Sequence, residues 1–223
     1  MKLYGYCHKK RSDTSSVFFG GIVKKLVVAF TIGIIFFSTK TNAQNLLEPE
    51  ELKAAKTYSD LQEALANRDS VIKLSLVRKK LKEFPAEVFT FPNLQVLVLS
   101  RNNIAQVPAD IKKLKNLQEL NLSNNNLTQL PAEIGHLKNL LKLKLNRNKI
   151  TSLPPEIGNL TNLEVFEMWD NELDTVPDEI KNLTQLKVFE LRGILFSDNQ
   201  QDEIRALLPH TKIYFSPSCA CKE

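Results

Sequence analysis

Leucine returns every 23 residues through the middle of this chain: Leu94, Leu117, Leu140, Leu163 and Leu186 each open a segment of one pattern. The segment from Leu117 reads Leu117-x-x-Leu120-x-Leu122-x-x-Asn125-x-Leu127-x-x-Leu130-Pro131-x-x-Ile134-x-x-Leu137. The next repeats it with Leu140, Leu143, Leu145, Asn148, Ile150, Leu153, Pro154, Ile157 and Leu160. A third follows with Leu163, Phe166, Met168, Asn171, Leu173, Val176, Pro177, Ile180 and Leu183. A fixed period of this length signals a stacked array rather than one closed core. In Leu120-x-Leu122 the apolar residues alternate, as in a short strand with one buried face. After Asn125 the spacing widens to Leu130, Ile134 and Leu137, which suits a helical or 3-10 turn. A unit this small buries too little apolar surface to offset the ordering of its own backbone, so neighbours must cover it.

Two columns within the period have a structural reading. Asn102, Asn125, Asn148 and Asn171 stand where the strand turns outward and main-chain groups lose their ladder partners; a buried carboxamide both donates and accepts there. Pro85, Pro108, Pro131, Pro154 and Pro177 fix the backbone where the outer turn begins.

On these residues the sequence resembles the leucine-rich repeat family, in the form with a Leu-Pro-x-x-Ile-x-x-Leu second half found in Ras-suppressor-type and bacterial members, over about residues 60–215. The resemblance implies an α/β solenoid: a curved right-handed horseshoe, with parallel strands on the concave face and short helical or 3-10 turns on the convex face. It specifies fold far more tightly than function, because one scaffold serves many partners.

The ends of the array depart from the pattern, as exposed ends require. Lys79 replaces the Asn of the first unit, and Ser59 with Gln62 has capping-box spacing, which predicts a short helix over that unit. At the far end the pattern breaks at Arg192-Gly193-Ile194; Ser197 or Asp198 can cap a helix through Leu208, and Lys212-Ile213-Tyr214-Phe215 reads as a last strand. The expected organisation is a signal peptide over 1–43, a linker over 44–58, a repeat domain over 59–215 and a tail over 216–223. Within the domain, a cap spans 59–70, six strand-bearing repeats 71–193 and a second cap 194–215.

The charge of +5 belongs to the leader. Residues 1–43 carry seven Lys/Arg and one acid, Asp13, leaving 23 basic and 24 acidic residues beyond them. Lys24-Lys25, the uncharged run Leu26 to Phe37 and the small residues before Ala43 read as a secretion signal cleaved between Ala43 and Gln44. A 12-residue apolar run is short for a span, so contact with the membrane is expected only through the signal, with an uncleaved anchor as the alternative. A start at Val23 gives the more compact signal. The expected location is the periplasm or the cell exterior. Of the cysteines, Cys7 falls in the leader, and Cys219 and Cys221 sit too close together for an unstrained disulfide, which points to a solvent-exposed tail.

Catalysis has little support. Beyond the leader only His136 and His210 remain, far apart in the array, and there is no glycine-rich phosphate loop, Gly-x-Ser-x-Gly, His-Glu-x-x-His or Cys-x-x-Cys. No cofactor or metal is expected, and a near-neutral repeat region speaks against nucleic acid. What remains is a binding module that grips a protein or a surface polymer with its concave face, or a structural envelope protein that associates with itself; an enzyme is the remote alternative. The outward strand positions carry the only Trp and sorted charge: Arg78, Arg101, Lys142, Lys144 and Arg147 toward one end, Glu164, Glu167, Asp170 and Glu190 toward the other. The partner site expected from this is a patch of Trp169 and Arg192 with Asn146, Arg147, Glu167, Glu190 and Lys144, since Trp and Arg dominate binding energy at interfaces. The competing reading has Trp169 merely packing on neighbouring side-chain stems.

Overall fold

The computed structural model describes residues 46–216; the leader, the cleavage point after Ala43, Cys7, Cys219 and Cys221 lie outside them. Eight strands form one open, all-parallel sheet in chain order: β1 (Thr57–Tyr58), β2 (Lys73–Ser75), β3 (Val96–Val98), β4 (Glu119–Asn121), β5 (Lys142–Lys144), β6 (Val165–Glu167), β7 (Val188–Leu191) and β8 (Lys212–Phe215). The six expected repeat strands are β2 to β7. The register advances one period per strand, so Leu74, Leu97, Leu120, Leu143, Phe166 and Phe189 stand side by side. These central residues point inward and are fully buried; the residues flanking them face outward.

The core is one continuous cluster from Tyr58 to Leu208. Phe166 and Phe189 take the place of leucines and stack with ring centroids 4.9 Å apart. Opposite the sheet, 3-10 turns span Ala86–Thr90, Ala109–Lys113, Ala132–His136, Pro155–Asn159 and Asp178–Asn182. Each is N-capped by a proline of the Pro column, with φ between −67° and −73°. Proline suits this place because its ring pre-sets φ and its missing N–H is not needed at a turn start. Its carbonyl accepts the first hydrogen bond of the turn, from Val88, Ile111, Ile134, Ile157 or Ile180.

The Asn column works as its position predicts. Asn148 Nδ2 donates to the carbonyls of Leu145 (2.8 Å), in its own unit, and Leu122 (3.1 Å), one unit back, while its Oδ1 accepts from Leu127 N (3.1 Å). Asn102, Asn125 and Asn171 repeat the arrangement. A second ladder, unread in the sequence, runs along the other side. Asn93, Asn116, Asn139 and Asn162 each donate to a main-chain carbonyl one unit back, those of Asp69, Pro92, Lys115 and Lys138. At the strand exits Arg78, Arg101, Asn124, Arg147, Asp170 and Gly193 all have positive φ, from 54° to 77°.

Two expectations at the N-terminal end are corrected. The cap of the helix α2 (Leu61–Ala66) is Asp60, whose side chain accepts from Glu63 N at 2.9 Å, rather than Ser59; a carboxylate there meets the free N–H groups and the positive end of the helix together. Residues 44–58 are not a bare linker. They contain a helix, α1 (Pro49–Ala54), with a reciprocal Glu48–Glu51 capping box, and the edge strand β1, which pairs with β2. Leu47 lies against the outer face of the sheet: its N–H donates to Gln95 Oε1 (2.8 Å), and its carbonyl accepts from Gln118 Nε2 (3.0 Å). At the other end Ser197 caps α3 (Asp198–Leu207), with Gln200 closing the box.

Candidate functional site

The expected patch occupies β5 to β7 and the residues just after them. Lys144, Glu167 and Glu190 are register partners on successive strands, and Tyr214 on β8 continues their row. Asn146, Trp169 and Arg192 form the next row, two residues further along each strand. Parallel strands lie about 4.8 Å apart, so the two rows make one compact grid on the outer face.

Its side chains are tied to one another. Lys144 Nζ lies 3.2 Å from Glu167 Oε1, and Asn146 Nδ2 donates to Glu167 Oε2 at 2.8 Å. One carboxylate thus holds two residues of the neighbouring strand. Arg147 pairs with Asp170 at 3.4 Å, and its guanidinium lies 4.6 Å from the centroid of the half-buried Trp169 ring. The arginine over Trp169 is therefore Arg147. Arg192 turns the other way: its Nε donates to Glu190 Oε2 at 2.9 Å, and its guanidinium lies 5.6 Å from the ring centroid of Tyr214. The structure thus builds two neighbouring clusters, Lys144–Asn146–Glu167 with Arg147–Trp169–Asp170, and Glu190–Arg192 with Tyr214.

The Lys212 ammonium, 5.0 Å from the ring centroid of Tyr214, is held above the ordinary lysine range, first by hydrogen bonding to Tyr214 and then by the charges of Tyr214 and Glu190. Asn146 is buried, and its Oδ1 has no hydrogen-bond partner among the described residues. Tyr214 and Lys212 were not among the expected site residues. Their signal was the alternation of Lys212-Ile213-Tyr214-Phe215, which extends the outward rows into the cap.

Charge is sorted along the strand-exit edge. Arg78, Lys79, Lys80, Lys82 and Arg101 are exposed at one end, and none is in an ion pair among the described residues. Asp170, Glu172 and Asp174 mark the other end, also exposed. His136 closes a 3-10 turn and His210 follows α3, both exposed and in different units. Among the described residues no group of three or more His, Cys, Asp and Glu could hold a metal ion, and no helix is long and apolar enough to cross a membrane. What these clusters offer chemically is a pre-formed surface with an aromatic face, two guanidinium groups and three carboxylates.

The family described as leucine-rich repeat region matches residues 70–210, more than half of the chain. Among curated proteins nothing matches. Among solved structures, a leucine-rich repeat protein of Leptospira interrogans is 34% identical with a TM-score of 0.60, covering 73% of this chain and 49% of that one. An internalin of Listeria monocytogenes has a TM-score of 0.61 at 21% identity, over 72% of this chain and 45% of that one, and bears on the fold alone. The ectodomain of a plant membrane receptor kinase of Arabidopsis thaliana, solved in complex with Casparian strip integrity factor 2, is 29% identical with a TM-score of 0.57, over 72% of this chain and 20% of that one. The chain thus spans at most about half the length of these proteins.

Proposed function

The chain belongs to the leucine-rich repeat family, and from that premise we propose that it is an exported, non-catalytic protein that holds a protein partner on the outer face of its sheet, at the grid around Trp169. The observation that carries this reading is the Arg147–Trp169 stack, set beside a carboxylate that already fixes Lys144 and Asn146. Side chains locked by their neighbours lose little further freedom when a partner arrives, so more of their contact energy becomes affinity. Asn146 Oδ1, which has no hydrogen-bond partner among the described residues, adds an acceptor that a partner's donor can meet beside this cluster. The receptor ectodomain solved in complex with Casparian strip integrity factor 2 supports the reading that a scaffold of this kind can hold a partner.

Trp169→Ala tests the reading. Partner capture from envelope extract is expected to weaken by about 2 kcal/mol, roughly thirtyfold, with the thermal midpoint nearly unchanged because the ring lies outside the inward-facing column. Unfolding of the variant would make Trp169 structural; unaltered capture by a folded variant would move the site elsewhere. Export rests on the leader's basic, apolar and small-residue order, and N-terminal sequencing of envelope material is expected to begin at Gln44. A mature chain that retains Phe30 refutes cleavage.

Self-association is a second reading, favoured by one observation. The strand-exit edge is basic at one end and acidic at the other, so two copies set head to tail are complementary. Sedimentation at low and high salt separates the readings: a salt-sensitive dimer or longer array supports self-association, and a monomer at both supports partner binding.

A further inference from the structure

Val96 is an outward strand residue, yet it is only 6% exposed, whereas Lys142 in the same row two strands on is open to solvent. Pro49 and Leu52 of α1 line one groove with Val96, Lys73, Gln118 and Lys142. The segment that carries them is held at two further points. The buried amides of Gln95 and Gln118 are bonded to each other, Nε2 of Gln118 to Oε1 of Gln95 at 2.8 Å, and together they meet both polar groups of one peptide residue, the N–H and the C=O of Leu47. In the last turn of α1, the carbonyl of Lys53 accepts from the Lys73 ammonium at 3.3 Å, where a cation suits the end of a helix.

These side-chain contacts are additional to the main-chain bonds that continue the sheet. The helix α1 contributes no buried residue to the core, and Gln95 and Gln118 lie one period apart in a column that needs only main-chain bonds to continue the sheet. Two glutamines at that spacing read main chain, which any peptide offers; the Val96 floor and Lys73 then ask for a leucine on a helical turn five residues later and for a free carbonyl at its end.

We propose that Lys73, Val96, Gln95, Gln118 and Lys142 form a peptide-binding site on the first strands of the sheet, that the chain fills it with its own segment 46–54, and that a partner peptide of the same form takes the site by displacing that segment. The site shares no residue with the grid around Trp169. A short tether holds its own segment at an effective concentration on the order of millimolar, so the unaltered chain resists all but tight or concentrated competitors.

The probe is a fluorescein-labelled synthetic peptide of residues 46–56, followed by anisotropy against the full chain. In one variant Leu47→Pro removes the N–H and Leu52→Glu the apolar contact, which opens the site without touching it. This opened chain is expected to bind the peptide at least tenfold more tightly than the unaltered chain. Adding Gln95→Ala and Gln118→Ala abolishes the gain, and Trp169→Ala leaves it unchanged, which separates this site from the partner grid. Equal binding by opened and unaltered chains, or a gain indifferent to the two glutamines, overturns the proposal. Amide hydrogen exchange supplies a second measurement without any change to the segment. Leu47 N–H is expected to be protected in the unaltered chain and to lose that protection in the Gln95→Ala, Gln118→Ala chain; an unprotected Leu47 in the unaltered chain overturns it, as does a dimer formed by exchange of the segment between copies.

Discussion

Asn148 bonds three main-chain groups: the carbonyls of Leu122 and Leu145, which Asn125 and Asn171 also meet, and the N–H of Leu127, whose acceptor it is. Asn148→Ala removes all three bonds and leaves the Leu127 N–H without its acceptor, and one orphaned buried group costs about 1–3 kcal/mol. A loss of about 1–3 kcal/mol is expected in chemical denaturation, and a midpoint within error of the unaltered chain's would show that water replaces the carboxamide. This role was legible from the sequence because position in the period implied both the burial and the shortage of partners. The left-handed conformation at the strand exits was not. Arg78, Arg101, Arg147 and Asp170 all adopt it, although side chains other than Gly, Asn and Asp carry a cost of about 1–2 kcal/mol there. Only Asn124, Asp170 and Gly193 hinted at it. At Gly193, with φ +77°, a Cβ would collide with Asp170 Oδ1, so here glycine answers to space as well as to backbone.

At the scale of elements, the outer turns stack as closely as the strands do. A Cβ placed on Gly135 would come 2.5 Å from the Glu156 carbonyl oxygen, and one on Gly158 would press on the main chain at Glu179 in the next turn. Gly158→Ala is therefore expected to push the turns Pro155–Asn159 and Asp178–Asn182 apart and to cost about 1–3 kcal/mol, as overpacking does. A melting temperature equal to that of the unaltered chain would show that the turns have slack. The strands, the proline-capped turns and the closing helix with its Ser197–Gln200 box were readable because each rests on a local pattern. The helix α1 was not: it buries no side chain and so has no apolar periodicity to read. Its only sequence signal was Glu48 and Glu51 around Pro49, and Gln95 and Gln118, which bond Leu47 just before it, lie in the second place of the unit, outside the outward-facing strand rows. Asp60 displaced Ser59 as a cap because both fit the spacing and only the path of the chain decides between them.

On the scale of the whole molecule, the seven residues expected to form the partner site divide between two contacting clusters, and Tyr214 and Lys212 from the cap join them. The period placed the rows on neighbouring strands; it could not say which arginine would lie over Trp169, because that depends on rotamers set by Asp170 and Glu190. Each Asn of the column, by contrast, sends one bond to the carbonyl one unit back, as the strand register and the turn contacts also link one unit to the next. Removing residues 117–139, one full period, leaves every remaining unit with a neighbour of the right shape. That shortened chain is expected to retain its circular dichroism signature and a cooperative melt at lower temperature, whereas loss of residues 117–128 alone is expected to abolish the melt; equal behaviour of the two would refute the nearest-neighbour account. Heredity meets the same arithmetic. In a gene for such an array, duplication or loss of one whole unit is a survivable event and a fraction of a unit is not, so lineages descended from it should differ in the number of middles they carry while keeping both ends.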